Sequence, residues 1–200
     1  MWPAGRRTSS SRSAPAACSG PRRSTSARLP ARSPLSDLAS AAAEAAELAE
    51  RGDERELAAH RTKWQDEIEG AARSPDFRER ALAYRAIGQF RYRQKLELLR
   101  RGLQDESPAS RGSALLSLEL LSRDHPGDIN ADRSLLHSLA AADPNATVRR
   151  LAILVLKNGS PHRDTIVMLE GMADDDELDR ELREAAKRVA AQLTKKSRAR

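Results

Sequence analysis

The chain has little of what most chemistry requires. Its 200 residues include one cysteine, four histidines, and two each of tryptophan, tyrosine and phenylalanine. A lone Cys18 excludes an intrachain disulfide framework and a cysteine-based metal centre. His60, His125, His137 and His162 never fall three or four residues apart, so no helix face offers a histidine pair to a metal. Asp174, Asp175 and Asp176 form an acidic run without the glycine and alternating ligands of a calcium loop. They read instead as charge that favours a helix start. No Gly-x-Ser-x-Gly turn and no glycine-rich phosphate loop occurs. The glycines after the N-terminal segment fall at or near expected helix ends, except Gly112, which sits inside one and is expected to mark a close helix contact. Catalytic residues, metal sites and cofactors are therefore all expected to be none. No run of eighteen apolar residues exists, so no membrane span is expected.

Acid is missing altogether from residues 1–34, which carry seven arginines (Arg6, Arg7, Arg12, Arg22, Arg23, Arg28, Arg32). The formal net charge of the whole chain is +6, so the remainder carries −1. Setting aside Lys195, Lys196, Arg198 and Arg200 as well leaves −5. The high isoelectric point belongs to the two ends and gives no sign of a basic groove. Residues 1–34 are Arg, Ser, Pro and Ala with too few large apolar side chains to offset ordering entropy. They are expected to be a disordered tail, with a second basic tail at 195–200. Three readings of 1–34 stay open: an organellar transit peptide, an electrostatic arm for nucleic acid or anionic lipid, or a neutral extension or start codon assigned too far upstream. The expected compartment is the cytoplasm, or an organelle if the transit reading holds.

What is present is alanine, leucine and charge in helical order. Small residues let helices approach and leucine fills the gaps, whereas a β-sandwich would want more β-branched and aromatic residues. After Pro34, nine helices are expected: 36–50, then the pairs 54–72 with 76–90, 92–103 with 108–122, 131–142 with 145–158, and 162–173 with 177–193. The five later prolines (Pro75, Pro108, Pro126, Pro144, Pro161) all fall in turns or first helical turns. Val148, Leu151, Ala152, Val155 and Leu156 form one apolar stripe at i, i+3, i+4, i+7, i+8.

One spacing then organises the chain. An acid precedes an arginine by six residues, with an alanine three further on, at Asp105/Arg111/Ala114, Asp143/Arg149/Ala152 and Glu177/Arg183/Ala186. A partial copy is Arg78/Ala81, with Ala72 in the acid's place. The arginines lie 33, 38 and 34 residues apart. Such a recurrence predicts a solenoid of stacked helical hairpins.

At Asp143-Pro144-Asn145-Ala146-Thr147-Val148-Arg149-Arg150-Leu151-Ala152 the chain closely resembles a HEAT repeat. Ser107-Pro108 before Arg111 and Ser74-Pro75 before Arg78 carry the same likeness, which covers roughly 54–193. The resemblance implies an all-α, right-handed α-solenoid of about four HEAT-like hairpins over 35–194, with the first helix as an N-terminal cap. It also implies a structural ladder of the acids Asp105, Asp143 and Glu177 with the bases Arg78, Arg111, Arg149 and Arg183. In that role these groups are not a catalytic acid and base.

The expected function is a non-enzymatic protein–protein scaffold or adaptor that binds a protein partner on its concave face. Positions off the apolar stripe of the second helices are the candidate contacts: Glu79, Arg85, Glu119, Arg150, Lys157, Glu184 and Lys187. The alternatives are a nucleic-acid binder resembling the HEAT-like alkylpurine DNA glycosylases, or an accessory protein resembling the HEAT-like phycobilin lyases. For nucleic acid the tails are the expected source of affinity, and Arg91, Arg93 and Lys95 form a weak candidate anion patch around Tyr92. The aromatics Trp64, Phe77, Tyr84, Phe90 and Tyr92 cluster in the first hairpin and its junction, where apolar packing explains them better than base stacking.

Overall fold

The computed structural model describes residues 34–199, and among these there are helices and no strand. The expected tail at 1–34 lies outside the described residues except for Pro34, which opens the first helix. The order is α1 (Pro34–Arg51), α2 (Glu54–Ala72), α3 (Phe77–Gln89), a 3-10 turn (Arg93–Lys95), α4 (Leu96–Leu103), α5 (Pro108–Ser122), α6 (Pro126–Ala131), α7 (Arg133–Ala142), α8 (Ala146–Leu156), α9 (Arg163–Asp174) and α10 (Arg180–Arg198).

Local chemistry explains the ends. Asp53, Asp76 and Asn145 cap α2, α3 and α8, their side-chain oxygens accepting backbone N–H groups of Glu56, of Arg78, and of Thr147 and Val148. α1 stops at Gly52, which takes φ of 73°, while the Asp53 N–H donates to the Leu48 carbonyl at 3.0 Å. α3 stops the same way, but with an arginine in the left-handed position. Arg91 has φ of 49°, its N–H donates to the Gly88 carbonyl and the Tyr92 N–H to that of Ile87, both at 3.0 Å.

The hairpins α2/α3, α4/α5, α7/α8 and α9/α10 stack in chain order, and α1 packs on α2 and α3 as the expected cap. Stacking is closest along the second helices α3, α5, α8 and α10. A layer packed more closely than its partner layer forms the shorter, inner side of the stack. One apolar core runs from Leu38 to Leu193.

Register is visible in the second helices. The fourth residue is arginine in each: Arg80, Arg111, Arg149 and Arg183. Their N–H groups all donate to the residue before the helix, at 3.1–3.2 Å. The seventh residue is Ala83, Ala114, Ala152 or Ala186, each 0% exposed. Arg80/Ala83 is therefore the first copy of the repeat, and the expected Arg78/Ala81 is out by two residues.

Three further expectations are corrected. The third hairpin opens with an additional short helix, α6, ahead of α7, which accounts for the longer interval between Arg111 and Arg149. The end expected as a tail from 195 is helical through Arg198. Gly112 has room, a Cβ there meeting nothing nearer than Leu151 at 3.6 Å. The close approach lies at Gly88, where a Cβ would come within 2.7 Å of the Ser117 Cα. Ile153, outside the apolar stripe, is also fully buried, because a central solenoid helix is covered on three sides.

Candidate interaction surface

Two rungs of a ladder tie the first three hairpins to one another. Arg80 forks onto Asp105 through Nε at 2.7 Å and Nη2 at 2.8 Å, and its Nη1 donates to the carbonyls of Ser74 and Pro75. Arg111 repeats the pattern on Asp143 at 2.7 and 2.9 Å, with the carbonyls of Asp105 and Glu106 beneath it. Asp105 and Asp143 each accept a third bond from the N–H two residues on. Burial pushes the Asp105 carboxyl up, but the Arg80 fork and the Ser107 N–H outweigh it and hold it below the usual carboxylate range. Arg80 is pushed up by the same bond.

The expected ladder is therefore only partly formed. Arg78 takes no part, lying instead over the Phe77 ring at 5.3 Å. Glu177 is exposed and meets no arginine. The residue in the acid's place is Asp175, which accepts the Glu177 N–H as Asp143 accepts that of Asn145. The turn from Asp175 to α10 is longer than the others, and Asp175 does not reach Arg149. Arg149 and Arg183 consequently keep buried Nε atoms with no acceptor.

The inner face is built from the fifth and ninth residues of the second helices and those beyond. Arg85, Glu119, Arg150, Lys157 and Glu184 share this face by register, and Leu116 lies among them at 37% exposure. Glu119 accepts from Lys157 at 3.0 Å across two hairpins and from Arg123 within its own helix. Burial raises the Glu119 carboxyl, and those two cations more than offset it, leaving it lowered. Arg150 pairs with Glu181 across the next gap, and Glu184 with Arg180 at 2.8 Å. Two of the seven expected contacts lie elsewhere. Glu79 shares the third position with Ser110, Val148 and Leu182, which are buried; Ser110 donates there to the Phe77 carbonyl of the preceding hairpin. Lys187 shares the eighth position with the buried Tyr84, Leu115 and Ile153, on the side covered by a following hairpin. Leu116 went unnoticed in the sequence because it borders an apolar stripe. Only the register shared with Arg85 and Leu154 marks it as inner.

The expected anion patch is occupied from within the chain. Arg93 forks onto Asp128 at 2.9 and 2.8 Å, Lys95 pairs with Glu69, and Arg91 donates to the Leu120 carbonyl at 2.9 Å. The bond to Glu69 pushes Lys95 up. Tyr84, Phe90 and Tyr92 are buried as expected of packing residues, and among the described aromatic residues only Phe77 is exposed, at 40%. Between the first helices run further polar ties: Arg100 to Asp132 at 2.7 Å, and Arg133 and His137 to the buried Thr165 at 2.9 Å. Burial lowers His137, with Arg133 adding to it. Among the described residues no group of three His, Cys, Asp or Glu is placed to hold a metal, and no helix is long and apolar enough to cross a membrane.

A family model for HEAT repeats matches residues 65–157, the span from α2 to the end of α8. No curated protein gave a match.

Proposed function

The chain is a HEAT-repeat protein across residues 65–157, and we propose that it acts as a non-enzymatic scaffold or adaptor holding a protein partner on the inner face of the stack. HEAT repeats are generally interaction scaffolds. The observation that carries the reading here is the mixed-sign inner face: Arg85, Arg150 and Lys157 alternate with Glu119 and Glu184 around the exposed Leu116. A phosphate backbone would favour one sign of charge, whereas a folded partner offers both, with apolar atoms between them. The Glu119–Lys157 and Arg150–Glu181 pairs hold their side chains in place before binding, which lowers the ordering cost of an interface. The internal pairing of Arg91, Arg93 and Lys95 removes support from the nucleic-acid alternative.

The test is affinity capture from native lysate with the full-length protein, compared with an L116D/R150E variant. An R55E change on the exposed start of α2 serves as the control. One or a few proteins should be retained by the wild type and by R55E, and lost with L116D/R150E. Equal capture by all three, or reproducible small-molecule turnover with no retained protein, would refute the scaffold reading.

A further inference from the structure

The ladder ends on an arginine with nothing to hold. Arg80 and Arg111 each grip the carboxylate of the following hairpin, Asp105 and Asp143. Arg183 stands at the same fourth position of α10, its N–H bonded to the Asp179 carbonyl at 3.1 Å as in the other copies. No hairpin follows it among the described residues, and its buried Nε has no acceptor. One turn on, the position filled by the buried Tyr84, Leu115 and Ile153 is here the exposed Lys187.

These residues border two adjoining grooves on the end face of the stack. The smaller, about 280 Å³, is lined by Ala173, Arg180, Arg183, Glu184 and Lys187. The larger, about 620 Å³, shares Ala173 and Lys187 and is floored by Ala190, Ala191 and Thr194. Lys195 and Arg198 edge it from α10, and Glu170 and Asp174 from α9. The Thr194 hydroxyl is buried without a partner.

We propose that this end face docks an acidic helical segment of a partner protein, one carboxylate of which binds Arg183 as Asp105 binds Arg80 and Asp143 binds Arg111. The guanidinium fork matches a carboxylate, and the fold uses that match twice. The alanine floor lets a helix backbone come close, and Lys187, Lys195 and Arg198 outnumber Glu170 and Asp174. Other occupants fit less well. Residues 1–34 of the same chain carry seven arginines and no acid, so this face repels them. A second copy stacked end to end would bring Ser74 to the acid's place, and its leading end is covered by α1. A nucleic-acid strand would run a continuous row of phosphates past Glu170 and Asp174, whereas a helix can turn its carboxylates toward Arg183 and Lys187 and its small residues toward the alanine floor. This surface meets the inner face at Glu184 and does not rest on the reading proposed for that face.

The probe is a fluorescein-labelled amphipathic peptide of about 20 residues of Glu, Ala and Leu, long enough for five helical turns, with a Gln-for-Glu analogue as control. Fluorescence anisotropy with the full-length chain should show the Glu peptide binding and the Gln peptide at least about ten-fold weaker. R183Q and K187Q should each weaken the Glu peptide by a similar factor, and R55Q should not. R183Q should keep the wild-type melting temperature, because its Nε has no internal acceptor to lose. K187Q keeps the test valid if R183Q folds poorly. The proposal is overturned if the Glu peptide does not bind, if the two peptides bind equally, or if neither variant weakens binding. Tighter, Arg183-dependent binding of a single-stranded oligonucleotide would reassign the face to nucleic acid. Arg183-dependent dimerisation in sedimentation would reassign it to a second copy.

Discussion

Replacing Arg111 with glutamine tests the ladder where it is complete. Arg111 is 9% exposed and makes two bonds to Asp143, at 2.7 and 2.9 Å, and two to the carbonyls of Asp105 and Glu106, at 2.8 and 3.0 Å. Glutamine is too short to span both sets. Asp143, 7% exposed, would keep only the Asn145 N–H at 2.8 Å. Removing one member of a buried pair costs about 3–5 kcal/mol, because the other charge stays buried and unanswered. The remaining Asn145 bond argues for the lower end, about 3 kcal/mol. Arg149→Gln changes the same position one repeat later, where no carboxylate is held. That variant should stay within about 0.5 kcal/mol of wild type, as a side chain with little to lose. In a domain of this size each kcal/mol shifts Tm by about 2–4 °C, so the two variants should melt about 6–12 °C apart. Circular dichroism at 222 nm on the full-length chain, by heat and by urea, measures both. Equal losses for the two would refute the claim that pairing, rather than position, stabilises the stack. So would an Arg111→Gln/Asp143→Asn double variant whose cost is simply the sum of the singles.

Two other outcomes follow from the same geometry. Gly88→Ala should destabilise by about 2 kcal/mol or more, since its Cβ meets the Ser117 backbone, which cannot swing aside. Gly112→Ala should be neutral or stabilising by up to about 1 kcal/mol, as expected of alanine in an unobstructed helix; matching urea midpoints for the two would place the tight helix contact elsewhere. The lowered Asp105 carboxyl contributes stability that is complete above its unfolded value near pH 4 and is lost as pH falls through its lower folded value. Asp105→Asn should therefore cost stability at pH 7 and flatten the decline below about pH 4; an unchanged acid slope would show that Arg80 does not depend on this carboxylate.

Much of the fold is legible because its signals are local. Prolines, caps and apolar spacing set α2 and α5 to the residue, and Gly52 marks the end of α1. The failures have a common cause in tertiary contact. Arg78 and Arg80 are equally good sequence candidates for the first ladder base, and only the turn at Ser74, which puts Arg80 fourth in α3, decides between them. Helix α6 carries Pro126, Gly127 and Asn130, which read as a loop. It is helical because Ile129 is fully buried, packed against the stack, while Asp128 and Asp132 receive Arg93 and Arg100. The end of α3 at a left-handed Arg91 has no local signal either, since glycine or asparagine is the usual residue there.

The candidate site was legible in its charges and illegible in their partners. Arg91, Arg93 and Lys95 looked like free cations because their partners sit far along the chain: Asp128 is 35 residues from Arg93, on the inserted helix, and Glu69 is on another hairpin. A repeat rule could not have supplied Asp128, since α6 belongs to one hairpin alone. Lys187 was misplaced for the opposite reason. A charged residue on a second helix suggests the inner face, yet the register that buries Tyr84, Leu115 and Ile153 puts Lys187 on the end of the stack. The same register gives that lysine its meaning. Where the earlier copies place a buried side chain, α10 places an exposed cation beside the unanswered Arg183, and it is this pair that the proposed acidic helix would meet.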